Sequence, residues 1–121
     1  MMKLTEIQAY KTASDLDKIV WIVVEVWPVT AKKTIGDQWI RSTDSIAANI
    51  AEGEGRFFKK DKMKFFYQAR GSLFESAHWT EKAKERNLIN EIKYLEIMSL
   101  LRKLPKEINS MILGASKNLK K

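Results

Sequence analysis

The stretch "SIAANIAEGEGRFFKK", Ser45 to Lys60, decides the fold of this 121-residue chain. It holds the two closest glycines, Gly53 and Gly55, followed by a basic, aromatic cluster. A phosphate-cradling glycine loop follows a strand and opens a helix. Here Ile46 and Ile50 lie four apart with small residues between, which is helical spacing. No Lys-Ser or Lys-Thr pair follows Gly55, and no further glycines sit at dinucleotide-binding spacing. The stretch therefore reads as a helix stop and a turn. Gly53 is the expected stop, taking the positive φ that a residue without Cβ adopts at no steric cost.

Outward from this turn the helical period continues in both directions. Residues 35–52 form a helix with Trp39, Thr43, Ile46 and Ile50 on one face, and Thr34 with Asp37 suggests a capping box. Residues 60–86 form a longer one, with Phe66, Ala69, Leu73 and Ala77 inward, Asp61 in its first turn and Asn87 as a left-handed stop. Residues 90–117 carry the clearest stripe: Tyr94, Ile97, Leu101, Leu104, Ile108, Met111 and Ala115. Asn90 is its N-cap, and the stripe keeps phase across Pro105, so one kinked helix is expected rather than two. Residues 7–27 are the hardest to read, because "IVWIVVEVW" is rich in strand-forming residues. No second such run exists to pair with it, and a lone strand leaves its backbone unsatisfied, so helix is expected, ended by Pro28. Short connections favour an all-α, antiparallel, up-and-down four-helix bundle, one domain over residues 1–121.

Composition narrows the function classes. There is no cysteine, which excludes disulfides, zinc thiolates and a cysteine nucleophile. "MMKLTEIQAY" lacks a signal-peptide core, and the longest apolar run is too short to cross a bilayer, so a cytoplasmic protein without membrane partner is expected. The net charge is +7 and uneven: residues 1–58 carry 7 basic and 8 acidic side chains, residues 59–121 carry 15 and 7. A basic half favours a polyanion such as RNA, or merely keeps helices soluble. The candidate contacts are Arg41, Arg56, Lys59, Lys60, Lys62, Lys64, Arg70, Lys82 and Lys84. Trp21, Phe57 and Phe58 are candidates for an oligomer interface; Phe57 and Phe58, beside so many cations, also suit base stacking. Glu75-Ser76-Ala77-His78 matches Glu-x-x-His once, without the second copy a di-metal bundle needs. No serine sits on a nucleophile turn. No cofactor, metal or catalytic site is expected, and the chain is not read as an enzyme.

Two stretches carry a family resemblance. "SIAANIAEGEGR" (Ser45–Arg56) and "FFYQARGSLFES" (Phe65–Ser76) resemble the proteins named after 23S ribosomal RNA intervening sequences, over about residues 15 to 115. The Ala-x-Gly-Ser-Leu-x-Glu element matches as Ala69, Gly71, Ser72, Leu73 and Glu75. The resemblance implies a four-helix bundle, a homo-oligomer (typically a pentamer) and no catalytic activity. It also implies nucleic-acid binding through a basic surface, as usually proposed for the family. A related branch serves as accessory protein to reverse transcriptases of diversity-generating retroelements, so a protein-interaction scaffold is the alternative. The family often has two consecutive arginines in its second helix; here Ile40 and Arg41 stand there, and Pro105 is a further departure. The motif's polar members, Asn49, Glu52, Arg56 and Glu75, are expected to bond one another between the second and third helices, with Gly71 packed on Ala47, Ala48 or Ala51.

Overall fold

The computed structural model describes residues 3–118. A short 3-10 turn, Leu4–Glu6, leads into α1, Gln8–Glu25. Helix α2 runs without a break through Val29–Ala31, a π-helical turn Lys32–Gly36, and Asp37–Glu54. Helix α3 is Lys59–Glu85 and α4 is Glu91–Asn118. No strand occurs among the described residues, so the strand-like run of α1 is helix. Helix α1 packs on α2 and α4, α2 on α3, and α3 on α4. The shared core is apolar, from Leu16 and Val20 of α1 through Trp39, Ile46, Ile50, Phe66 and Leu73 to Ile97, Leu104 and Ile108 of α4.

Pro28 both ends one helix and opens the next: it is the residue before Val29, where a missing N–H costs nothing. Helix α2 thus starts six residues before the expected position. Thr34 is not its cap; its backbone is already helical and its hydroxyl donates to the Thr30 carbonyl at 2.8 Å. The capping box fails because the helix has already begun at Val29, directly after Pro28. Asn90 caps α4 as expected, accepting from Lys93 N at 2.8 Å. Asn87 is left-handed at φ 59°. Pro105 lies within α4, on its exposed side, and the helix continues through it.

Gly53 does not stop α2. No glycine among the described residues has positive φ, and Gly53 is a buried residue inside the helix. What it needs is the absence of a side chain: a Cβ there would lie 2.5 Å from Phe66 Cε1 and 3.2 Å from the Lys62 carbonyl oxygen. The helix stops after Glu54, with Gly55 at φ −78° as its cap. Gly36 has a similar role against α1, where a Cβ would meet Val24 Cγ1 at 2.7 Å. Gly71, expected to pack on the alanines of α2, has nothing within 4 Å of a Cβ and is exposed. It sits on the opposite side of α3 from Ala69 and Leu73, which are the residues that meet the core.

The α2–α3 seam is polar in a regular way. Trp39 Nε1 donates to Thr80 Oγ1 at 3.1 Å, Ser76 Oγ to Ser42 Oγ at 3.1 Å, and Ser72 Oγ to Ser45 Oγ at 2.9 Å. Residue numbers rise along α2 as they fall along α3. Small hydroxyl residues let the two helices approach while satisfying each other's polar groups. Trp27 stacks on Trp39 at 5.6 Å and donates to the Leu88 carbonyl at 3.0 Å. Thr12 of α1 donates to Glu107 of α4 at 3.1 Å.

Candidate nucleic-acid interface

The turn between α2 and α3 is built by the cations around it. Lys62 Nζ donates to the carbonyls of Gly53 at 3.3 Å and Glu54 at 2.7 Å, capping the end of α2 where orphan carbonyls and the helix dipole favour a positive charge. Arg56 pairs with Glu52 at 2.8 Å and stacks its guanidinium 4.8 Å from the Phe65 ring centroid. Lys64 reaches the same ring at 5.6 Å. These contacts absorb Lys62 within the fold and fix the side chain of Arg56.

The nine basic candidates therefore separate. Arg41, on α2, pairs with Asp37 at 3.1 Å. Lys82 pairs with Glu85 at 3.5 Å, and Lys84 lies 4.0 Å from Glu91 and over the Tyr94 ring. These two sit at the far end of α3, about 35 Å from Lys60 at ~1.5 Å per residue. Among the described residues Lys59, Lys60, Lys64 and Arg70 make no ion pair. All four belong to the first half of α3, and all but half-buried Lys59 are exposed.

Structure adds two features that sequence reading passed over. The outward face of α3 carries Lys60, Lys64, Tyr67, Gly71, Phe74 and His78, at spacings of three and four. Tyr67 and Phe74 are 49% and 63% exposed, so this face alternates cations with open aromatic rings. The same period that marks the buried face was the available signal. The second feature is a cavity of about 810 Å³ beside the α2–α3 turn, lined by Lys3, Leu4, Thr5, Ala51, Glu54, Gly55, Arg56 and Phe57. Phe57 is 81% exposed and meets Phe58 edge-on at 5.0 Å.

The third proposed interface residue, Trp21, is exposed on α1 beside a groove against α2 that Ile40 and Asp37 also line. Ile22, Val26 and Val29 leave further apolar surface nearby. Asp17 is half-buried in α1; burial first, then the carboxylates of Asp44 and Asp15, lift its pKa to about 6 against the pull of Lys18. Burial also raises Asp44.

The expected polar cluster does not form. Glu52 and Arg56 pair with each other on the surface, and Glu75 accepts from Trp79 Nε1 at 3.1 Å. Asn49 turns to its own helix, donating to the Ser45 carbonyl and hydroxyl, both at 2.9 Å. Only through Ser45 and Ser72 does it reach α3. Each long polar side chain has found an acceptor or donor four residues away, and the cross-helix bonds fall to shorter serines. His78 packs on Trp79 at 4.7 Å, with Glu75 committed to the same indole. Among the described residues no three His, Cys, Asp or Glu side chains gather as metal ligands, and no helix is long and apolar enough to cross a membrane.

This arrangement has relatives. A protein of unknown function from the S23 ribosomal protein family of Bacteroides thetaiotaomicron has a similar crystal structure, with TM-score 0.78 at 22% identity, over 86% of this chain and 97% of that one. At that identity the likeness speaks for the fold. Among curated proteins none matches. The model of the 23S rRNA-intervening sequence protein family matches residues 5–110, which takes in the α2–α3 seam, the capped turn and the basic start of α3. By that match the chain belongs to the 23S rRNA-intervening sequence protein family.

Proposed function

We propose that this protein is a non-enzymatic, cytoplasmic homo-oligomer of antiparallel four-helix bundles that binds RNA by its phosphate backbone. The observation that carries the reading is the group of unpaired cations on the first half of α3, interleaved with exposed Tyr67 and Phe74. Lysines without a protein partner are free to neutralise phosphates, and each phosphate neutralised releases counterions condensed on the RNA. A pentamer, which the family resemblance implies, would repeat this patch around a ring and turn weak contacts into avidity. The apolar surface of Trp21, Ile22 and Val26 supports self-association.

That same apolar surface supports a second reading, a scaffold or accessory subunit that docks on another protein such as a reverse transcriptase. The two readings differ in their response to salt. The test is binding to structured RNA across a salt series, with the mass in solution measured by light scattering on the same sample. Steep weakening with salt by an oligomer, abolished in Lys60→Glu/Lys64→Glu, supports the RNA reading. An oligomer that ignores RNA even at low salt refutes it and favours the scaffold.

A further inference from the structure

We propose that the cavity beside the α2–α3 turn is a nucleobase pocket, and that the RNA this surface takes is single-stranded, with one base seated against Phe57. The inference rests on the RNA reading above and narrows it. At about 810 Å³ the cavity has the size of a small-ligand site and admits a base with its ribose. Its apolar wall comes from Leu4, Ala51 and Phe57. The Phe57 ring is 81% exposed, and its one aromatic contact is the edge-on meeting with Phe58, which leaves ring surface for stacking.

Charge tells which occupant fits. Arg56 and Lys3 line the cavity, and unpaired Lys59 and Lys60 follow Phe57 by two and three residues. An open aromatic ring flanked by cations is how single-strand binders hold a base while the backbone tracks past. Glu54 is the one acid in the lining; it is an acceptor suited to a base amino group rather than to a phosphate. A duplex cannot use this site, because its bases are stacked and paired.

The test compares a single-stranded oligoribonucleotide of about twelve nucleotides, within the span of known single-strand sites, with the duplex of the same sequence. Each carries 2-aminopurine as a stacking reporter and is offered to the full chain and to Phe57→Leu and Phe57→Trp. Leu keeps the apolar bulk and removes the stacking face; Trp keeps both. The expected result is quenched 2-aminopurine on the single strand, and about tenfold or more weaker single-strand binding by Phe57→Leu. Phe57→Trp should bind as the parent does, and duplex binding should be the same in all three. Equal effects on single strand and duplex, or no effect on either, overturn the pocket while leaving backbone binding in place. A smaller mass for Phe57→Leu in light scattering puts Phe57 at a subunit contact and also overturns it. Failure of the parent to bind either RNA removes the RNA reading itself, and the pocket with it.

Discussion

Alanine at Gly53 and alanine at Gly71 add the same methyl group to a helix interior and should move stability in opposite directions. Intrinsic propensity favours both changes by about 1 kcal/mol, because glycine loses more backbone freedom on folding. At Gly71 the methyl meets nothing within 4 Å, so the gain stands undiminished. At Gly53 it would sit 2.5 and 2.7 Å from two carbons of Phe66 and 3.2 Å from the Lys62 carbonyl. Carbon atoms rest about 3.5–4 Å apart. Phe66 is 2% exposed within the core, while the carbonyl belongs to the backbone of α3. Relief therefore requires α2 and α3 to separate, which also loosens the bonds from Lys62 to Gly53 and Glu54.

Overpacking of this kind costs about 1–3 kcal/mol, and the rigid neighbours put Gly53→Ala toward the upper end. Set against the propensity gain of about 1 kcal/mol, the net loss is about 2 kcal/mol. For a chain this long about 1 kcal/mol corresponds to about 4 °C, so Tm should fall by about 8 °C for Gly53→Ala and rise by about 4 °C for Gly71→Ala. The assay is thermal unfolding by circular dichroism at one fixed protein concentration, since oligomer melting depends on concentration. A Gly53→Ala protein as stable as the parent would refute the close approach of the helices. A destabilised Gly71→Ala protein of reduced mass would show that another subunit covers this face, and the reasoning from open space would fail.

Other outcomes follow from single side chains. Asp17 has its pKa raised from 3.8 to about 6, so its favourable protonated form is fully present below 3.8 and is lost as pH rises through 6. Asp17→Asn should raise Tm near neutral pH and leave it unchanged at about pH 4; with the group partly solvated, screening holds the gain to on the order of 1 kcal/mol. Thr80→Val keeps shape but strips the Trp39 indole of its buried acceptor, and should cost about 1–3 kcal/mol in chemical denaturation. Thr80→Ser keeps the hydroxyl and should recover much of that loss, whereas a Thr80→Val protein as stable as the parent would mean the bond contributes nothing there.

The later helices were legible because each buries a stripe of regular period, and α4 keeps that period even past Pro105, whereas α1 was legible as helix only because its strand-like run had no partner. The start of α2 was not, because Thr34 with Asp37 satisfies a capping pattern that the chain overrides by beginning its helix directly after Pro28. Gly53 shows a deeper limit. A missing Cβ serves a left-handed turn and a close helix crossing equally well, and only the position of Phe66 across the seam tells the two apart.

The basic site was half legible for a related reason. Residue type marked nine cations, but a cation's availability depends on its partners. Arg41 with Asp37 and Arg56 with Glu52 are four apart on one helix, so their pairing was implicit in the spacing. Lys62 on the end of α2 and Lys84 near Glu91 depend on how separate helices meet. Subtracting both kinds, with Lys82 on Glu85 three residues away, leaves Lys59, Lys60, Lys64 and Arg70 of the nine as the charges free to neutralise phosphates. The salt slope of RNA binding should then follow these four in each subunit rather than the net charge of the chain. Charge reversal at Arg41 should leave the slope unchanged, whereas reversal at Lys60 or Arg70 should flatten it. A slope equally sensitive to Arg41 would mean that the exposed pair with Asp37 opens freely in solution, and that availability cannot be read from pairing.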